Sequence, residues 1–241
     1  MYQIQPTHMS WGNITKCILF IIGLSFSKLT YSQSQLIRKI EAGEDQTIVV
    51  YGTSLSTGRN GRSWMNEVVR LMNEKYRGKV IYHLSGKGGR CSTWGVQNLE
   101  DSVLKKKPDV VMVEFAINDA SCLNETSLEL AQLNLQYMID RIRLFDPGCE
   151  VILQVMNMAV GKSATYRPNL VAYYDMVRVM ARKENLLLID HYPNWREILN
   201  KGENYFLEFV PDGVHPNKMG AEKVNRPPKV RQNTFGGYFY V

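Results

Sequence analysis

TIVVYGTSLSTG, residues 47–58, joins a run of apolar and β-branched residues to a small, hydroxyl-rich segment. The first half is typical of a buried β-strand, and Gly52 marks the point where the strand ends. Ser54 follows two residues later, so the segment is either an ordinary turn or a nucleophile held at a strand end. These letters fit both interpretations, and the rest of the chain has to supply a base, an orienting acid and an oxyanion site.

Four further apolar runs follow along the chain. They span residues 79–85, 109–115, 150–156 and 185–190. Such runs are typical of parallel strands buried on both faces, and the segments between them carry helical patterns. The predicted helices cover roughly residues 62–76, 92–105, 128–145 and 168–183. This alternation predicts an α/β fold, a three-layer α/β/α sandwich with a five-stranded parallel sheet, in which ligands bind beyond the carboxyl ends of the strands.

Composition and charge narrow the class of partner. The chain has 241 residues, 44% of them hydrophobic, with a formal net charge of +6, which suits one globular domain. The densest basic run, Lys105-Lys106-Lys107, precedes Pro108 at a predicted helix end, where cations complement the helix dipole. We expect no nucleic-acid partner, because neither Lys nor Arg forms a long block in the sequence.

The N-terminal segment has a pattern of its own. Cys17–Phe26 is an apolar run of 10 residues that follows Lys16, and Thr30–Ser32 offers small residues at a cleavage position. Such a run is too short to span a bilayer and is typical of a signal-peptide core. We predict a signal peptide over 1–32, export to the periplasm or cell exterior, no stable membrane span, and a single domain over 33–241. A buried hydrophobic helix or an uncleaved anchor is the alternative.

The predicted mature chain offers three histidines as a base for Ser54. His83 lies inside a predicted strand and is expected to pack in the core or against a helix. His191 follows the last strand and suits a structural or substrate-pocket role. His215 stands three residues after Asp212, so one Pro/Gly turn can present both side chains at the same edge. That carboxylate can orient the imidazole towards a hydroxyl, although a plain surface turn fits the same letters.

Two segments can supply oxyanion donors. Gly86-Lys87-Gly88-Gly89 follows the second strand, and its glycines can expose backbone N–H groups. Asn118 follows the third strand, where its amide can donate, although Asn-Asp after a strand is also ordinary turn chemistry. The glycine segment matches no phosphate-binding motif, and the sequence has neither H-E-x-x-H nor paired C-x-x-C. We therefore expect no metal and no cofactor.

The order of these features is more specific than any one of them. A Gly-x-Ser, a glycine loop, an Asn-Asp and an Asp-x-x-His, each after a strand or near the C-terminus, resemble the SGNH hydrolase superfamily, often called GDSL esterases. The resemblance runs from about Thr47 to Gly220. It implies a flavodoxin-like fold and a serine esterase that works through an acyl-enzyme.

The resemblance also implies roles for individual residues. Ser54 would be the nucleophile, His215 its base, and Asp212 the residue that orients the imidazole. The oxyanion would be held by Gly89, Asn118 and the backbone N–H of Ser54.

The chain departs from the family's lettering in three places. Thr53 replaces the usual Asp beside the nucleophile, and Ala116 replaces the usual Gly of the third motif. Arg226-Pro227-Pro228 interrupts the expected C-terminal helix, because proline lacks an N–H and clashes with the preceding turn. The tail, residues 226–241, is therefore either altered or divergent but functional. Ser56 is a second hydroxyl, but only Ser54 has the family's position after Gly52.

The substrate class is less determined. The family includes carbohydrate deacetylases, acyl-ester and thioester hydrolases and lysophospholipases, so the partner is a small-molecule or glycan ester. Arg90, Trp94 and His191 are pocket candidates, and together with Trp195 and the predicted export they favour small acyl groups on carbohydrate. The alternatives are a lipid acyl-ester or thioester hydrolase and a non-catalytic carbohydrate-binding relative. The sequence does not determine the oligomeric state.

Cysteine usage leaves one hypothesis open. Three cysteines follow the predicted signal peptide, so at most one intrachain disulfide can form. Cys91 and Cys122 stand shortly after Gly89 and Asn118, on loops expected to converge. They form either a disulfide that braces the oxyanion donors or two ordinary thiols.

Overall fold

Five parallel strands form the middle layer of the protein in this computed structural model, which describes residues 34–224. The strands are β1 Gln46–Gly52, β2 Val80–Leu84, β3 Val110–Glu114, β4 Glu150–Val155 and β5 Leu187–Asp190. Their order is β2-β1-β3-β4-β5, and every neighbouring pair is parallel. The predicted α/β sandwich is confirmed. The predicted signal peptide and the tail 226–241 lie outside the described residues.

Helices connect the strands and cover both faces of the sheet. They are α1 Gln35–Ala42, α2 Gly58–Lys75, α3 Ser92–Ser102, α4 Ala116–Asp119, α5 Leu128–Phe145, α6 Gly161–Thr165, α7 Leu170–Lys183, α8 Tyr192–Leu199, α9 Glu203–Leu207 and α10 Lys218–Val224. The four predicted helices correspond to α2, α3, α5 and α7. The predicted helix 92–105 ends at Ser102, and a 3₁₀ turn over Leu104–Lys106 follows it. Within residues 34–224, no helix combines the length and apolarity that a bilayer crossing requires.

Two hydrophobic cores lie on opposite faces of the sheet because side chains alternate along each strand. Val49 of β1 faces α3, α5 and α7, whereas Ile48 and Val50 face α1 and α2. Helix α5 shows how the sequence encodes this packing: the hydroxyl of Ser127 accepts the N–H of Leu130 at 3.1 Å and caps its first turn. The apolar stripe of α5 then packs on the sheet. Its buried members are Ala131, Leu135, Met138 and Ile142.

The edge strand β2 differs from the sequence prediction. It has a neighbour on one side only, and the side chains of Ile81 and His83 are exposed. The expectation that His83 packs in the core or against a helix is therefore wrong. Its alternating partners Val80 and Tyr82 pack against the α1–α2 face, so His83 points to the opposite, uncovered side of this edge strand.

Candidate active site

The carboxyl edge of the sheet brings the four motifs together. Ser54 follows β1, the glycine segment Gly86–Gly89 follows β2, and Asn118 lies in α4 directly after β3. Asp212 and His215 lie between α9 and α10. Parallel strands all end at the same edge, so residues far apart in sequence meet there.

A continuous chain of hydrogen bonds links Ser54, His215 and Asp212. The Ser54 Oγ lies 2.7 Å from Nε2 of His215, and Nδ1 of His215 lies 2.6 Å from Oδ2 of Asp212. An Nδ1–H that donates to the carboxylate leaves Nε2 free to accept the serine proton, which is the tautomer that nucleophile activation requires. By contrast, Ser56 is fully buried, and its hydroxyl lies near the Glu114 carboxyl, whose pKa it lowers.

The Asp212–His215 turn is held by its own backbone. Oδ1 of Asp212 accepts the N–H of Val214 at 3.0 Å and that of His215 at 2.7 Å. Gly213 has φ +78°, and a Cβ there would lie 2.4 Å from the Val160 carbonyl oxygen. Partial burial raises the pKa of Asp212, but the hydrogen bonds from His215 and Val214 outweigh it and lower that pKa below its usual value. The carboxylate is thus held in its charged form beside the imidazole.

The nucleophile turn leaves one backbone donor free. The carbonyl of Ser54 accepts Nδ2 of Asn60 at 3.1 Å, and the N–H of Ser56 donates to the Thr53 carbonyl at 3.2 Å. Within residues 34–224, the Ser54 N–H itself donates to no protein acceptor. An N–H that is fixed in place without a partner suits an anion that forms only during the reaction.

The glycine segment passes directly against Ser54. A Cβ on Gly88 would lie 3.4 Å from the Ser54 Cβ, so the backbone approaches the nucleophile closely there. Gly89 has φ +74°, a conformation that favours glycine, and its N–H donates to no acceptor among the described residues. The segment therefore offers a second free backbone donor near the same serine.

Asn118 is tied to this segment and to a residue that sequence analysis missed. Its Nδ2 donates to the Arg90 carbonyl at 3.0 Å, which leaves the second amide hydrogen free of that bond. Its Oδ1 accepts Nη2 of Arg167 at 3.4 Å, and Nε of Arg167 donates to the Ile117 carbonyl at 2.8 Å. Arg167 thereby fixes which end of the amide donates. No motif surrounds Arg167 in the sequence, so only the fold could reveal it.

Asp119 joins the third motif to the segment after Gly89. It is buried, and its Oδ1 accepts the N–H of Ser92, the first residue of α3, at 2.7 Å. A carboxylate at a helix N-terminus stabilises the unpaired N–H groups of the first turn. Burial raises the pKa of Asp119 to about 7, against the hydrogen bonds from Ser92. The Asn-Asp pair thus positions one oxyanion candidate and anchors the backbone next to another.

The predicted pocket residues Arg90, Trp94 and His191 each have different surroundings. Arg90 is exposed and contributes its carbonyl to Asn118. Trp94 is half-buried and packs against the rings of Tyr51 and Phe115, with centroids 5.8 and 6.5 Å away, so part of its surface joins the aromatic packing of the core.

His191, in contrast, lies in a groove of about 50 Å³ beside the nucleophile turn. The groove's main lining residues are Leu55, Trp64, Met156, His191, Trp195 and Pro216. Burial lowers the pKa of His191 to about 4, against the nearby charge of Asp190, so the imidazole is neutral at physiological pH. A mostly apolar groove of this kind suits an uncharged part of a substrate.

The hypothesised disulfide is not formed in this structure. Cys91, Cys122 and Cys149 all carry free thiols, and Cys149 is buried. Among the described residues, no group of three or more His, Cys, Asp or Glu side chains is placed to hold a metal ion.

Comparisons with known proteins define the class. Residues 50–223 match the model of the GDSL-like lipase/acylhydrolase family, which covers every motif described above. The chain belongs to this family and is a serine hydrolase that acts on ester bonds. No curated protein matches the chain.

Solved structures share the fold. A lipase/acylhydrolase from Enterococcus faecalis is 25% identical, with a TM-score of 0.61 over 73% of this chain and 90% of its own. An acetylxylan esterase from Geobacillus stearothermophilus is 20% identical, with a TM-score of 0.65 over 76% of this chain and 92% of its own. A two-domain esterase active on acetylated mannans is 24% identical, with a TM-score of 0.62 over 78% of this chain and 49% of its own.

Proposed function

We propose that this protein is an exported serine esterase that removes small acyl groups, chiefly acetyl, from carbohydrate. The observation that carries the esterase chemistry is the hydrogen-bonded chain from Ser54 Oγ through His215 to Asp212. Two free backbone N–H groups, those of Ser54 and Gly89, lie beside these hydrogen-bonded residues.

The reaction has two steps, and in each of them His215 accepts one proton and returns it. In the first, Ser54 Oγ attacks the ester carbonyl while Nε2 of His215 takes the hydroxyl proton and returns it to the leaving alcohol. In the second, water attacks the acyl-enzyme, His215 takes a water proton, and that proton restores the Ser54 hydroxyl as the acid leaves. Asp212 stabilises the imidazolium in both steps.

The negative charge on the carbonyl oxygen needs donors in each step. The N–H groups of Ser54 and Gly89 and the free amide hydrogen of Asn118 are the groups proposed for it. Each such donor commonly contributes about 3 kcal/mol to transition-state stabilisation.

The carbohydrate substrate rests on two supports. Two of the structural relatives are esterases of acetylated xylan and mannan, as their descriptions state. The proposed export over residues 1–32 would place the enzyme where polysaccharides occur. A lipid acyl ester is the second candidate, because the groove beside Ser54 is lined largely by apolar side chains such as Leu55 and Trp64.

One experiment tests the reaction and separates the two substrates. The full chain and its Ser54→Ala variant are assayed with aryl acetate, butyrate and octanoate and with acetylated xylo- and manno-oligosaccharides. We expect the wild-type hydrolysis rate to fall steeply from aryl acetate to butyrate and octanoate. The Ser54→Ala variant should hydrolyse none of them. A preference for octanoate supports the lipid ester, and equal rates for both proteins reject the serine mechanism.

Export has its own test. The chain is expressed with its N-terminus intact, and the protein recovered from periplasm or medium is sequenced from its N-terminus. We expect it to begin at Gln33. Retention of residues 1–32 on cytoplasmic protein would contradict the proposal.

A further inference from the structure

The backbone of the nucleophile turn is anchored by a buried carboxyl from the neighbouring strand. Glu114 is the last residue of β3 and pairs in register with Gly52 of β1. Its Oε1 accepts the Thr53 N–H at 2.8 Å and the Thr53 hydroxyl at 2.6 Å. Thr53 is 0% exposed and Glu114 is 3% exposed, so no solvent competes for these bonds.

A second bond carries this anchor past Ser54. The Thr53 hydroxyl uses its hydrogen on Glu114, and its oxygen accepts the N–H of Leu55 at 3.3 Å. The residues before and after Ser54 are therefore both fixed through one carboxyl. Ser54 lies between them with its own N–H unbonded among the described residues, which is the arrangement an oxyanion donor needs.

Gly52 makes this contact sterically possible. A Cβ at Gly52 would lie 2.7 Å from Oε1 of Glu114 and 2.2 Å from its carbonyl oxygen. The Glu114 side chain thus occupies the space that a side chain at position 52 would need. The Gly52 carbonyl in turn accepts the Lys87 N–H at 2.9 Å, so the glycine segment is attached to the same point.

We propose that Glu114 is a positioning residue for Ser54, acting through Thr53 from strand β3. This inference rests on the proposed serine esterase mechanism. Glu114 and Thr53 then form one device: strand β3 carries the buried carboxyl, and threonine supplies the hydroxyl that links it to the turn.

Burial supports a dedicated role. Burial raises the pKa of Glu114 to about 7, against the hydrogen bonds from Thr53 and Ser56. Burying a carboxyl is costly for stability even when hydrogen bonds offset part of that cost, and such costs concentrate at functional sites.

The test compares variants of the full chain by kcat and KM for aryl acetate, with folding checked by circular dichroism. Thr53→Val keeps the side-chain volume and removes both hydroxyl bonds, so we expect kcat to fall about tenfold or more with KM nearly unchanged. Thr53→Ser keeps the hydroxyl and should restore kcat to within about twofold of wild type. Glu114→Ala should lower kcat by about 100-fold, and Glu114→Gln, whose Oε1 still accepts, should recover most of that loss.

Gln46→Met is the matched control. Gln46 is a buried polar residue at the start of β1, the end of that strand remote from Ser54, and its amide donates to the Asp45 carbonyl at 2.6 Å. We expect Gln46→Met to change stability but leave kcat within about twofold. Folded Thr53→Val and Glu114→Ala proteins with wild-type kcat would overturn the proposal. If Glu114→Ala does not fold, the difference in kcat between Thr53→Val and Thr53→Ser tests the proposal, and equal kcat values in these two variants would overturn it.

A readout independent of activity separates this inference from the proposed function. Amide hydrogen exchange over residues 53–56 should be faster in Thr53→Val than in wild type and unchanged in Gln46→Met. Unchanged exchange in Thr53→Val would reject the anchor even in an active enzyme. Faster exchange in Thr53→Val than in a wild-type protein that has no esterase activity would keep the anchor and reject the esterase.

Discussion

At the scale of single residues, the site separates groups that react from groups that hold them. Ser54 and His215 meet through a 2.7 Å contact, while Asp212 is fully engaged by its neighbours in the turn. Asn118 depends on Arg167 and on the Arg90 carbonyl for its orientation. Substitutions of the first kind should abolish the chemistry, and those of the second should lower kcat by an amount that depends on the group lost.

Asp212→Asn tests the orienting carboxylate. An amide can donate to Nδ1 of His215 and so favour the tautomer with the proton on Nε2, which cannot accept the Ser54 proton. We expect kcat to fall by about 10³–10⁴-fold with KM much less affected. Steady-state kinetics on aryl acetate measure this. Wild-type kcat in Asp212→Asn would show that the 2.6 Å contact has no catalytic role.

Asn118→Ala tests the proposed oxyanion amide. Loss of one oxyanion donor should lower kcat by about 10²–10³-fold. Arg167→Lys should have a smaller effect, because lysine keeps the charge but not the planar fork that binds both Ile117 and Asn118. Kinetics of both variants on aryl acetate provide the check. An Arg167→Lys effect as large as that of Asn118→Ala would mean that the orientation of Asn118 depends wholly on Arg167, and wild-type kcat in Asn118→Ala would reject the amide as an oxyanion donor.

At the scale of elements, the strands bring the site residues to one edge of the sheet, and the turns fix the geometry of those residues. Gly213 places the Asp212–His215 turn against Val160, whose N–H donates to the Gly213 carbonyl at 2.9 Å. The turn is therefore pinned to the segment after β4 as well as by its own carboxylate. A displacement there should move His215 away from Ser54.

Gly213→Ala and Gly202→Ala form a matched pair. Both glycines have positive φ, +78° and +119°, but a Cβ at Gly202 would have no atom within 4 Å. We expect each to cost about 1–3 kcal/mol in the free energy of unfolding through backbone strain. Only Gly213→Ala should also lower kcat, because its Cβ collides with the Val160 carbonyl. Denaturation curves and steady-state kinetics on the same samples measure the two effects. Equal kcat losses in Gly213→Ala and Gly202→Ala would refute the explanation by the collision with Val160.

At the scale of the whole molecule, two buried carboxyls link stability to pH. Burial raises the pKa of Glu114 and of Asp119 to about 7. The folded protein therefore keeps two protons that the unfolded chain releases between about pH 4 and pH 7, and ionisation of these groups opposes folding. Their stabilising contribution is complete below their unfolded-state pKa values and is lost as pH rises through about 7.

Glu114→Gln isolates one of these groups. We expect the free energy of unfolding of Glu114→Gln, relative to wild type, to increase by about 1.4 kcal/mol per pH unit between pH 5 and pH 7. The titratable neighbours are Asp119 on α4, which raises the pKa of Glu114, and Tyr174 on α7, which stays neutral because burial and the nearby Glu114 raise its own pKa. Urea denaturation at each pH measures the difference. Gln46→Met should show a constant offset, and a constant offset in Glu114→Gln would contradict the raised pKa.

Local pattern sufficed for the strands, the major helices and the order of the motifs. Periodicity and strand-end chemistry act over a few residues, so β1, β3 and β4 and the helix 128–145 could be predicted from the chain alone. The one-turn helices could not, because they are too short to show a period; helix α1 was missed although its buried residues Leu36, Ile37 and Ile40 lie on one helical face. His83 was misplaced because the sequence does not say which strand is an edge.

The sequence by itself determined an α/β sandwich and a serine site on its carboxyl edge, since both follow from local periodicity and from four motifs in order. Only the tertiary structure decided which residues meet there: His215 lies 161 positions from Ser54, and Glu114 lies 61 from Thr53. Likewise, only the tertiary structure decided that Trp94 packs against Tyr51 and that Arg167 contacts Asn118. Contacts of this range are selected by how the helices pack on both faces of the sheet, and no local spacing encodes that choice.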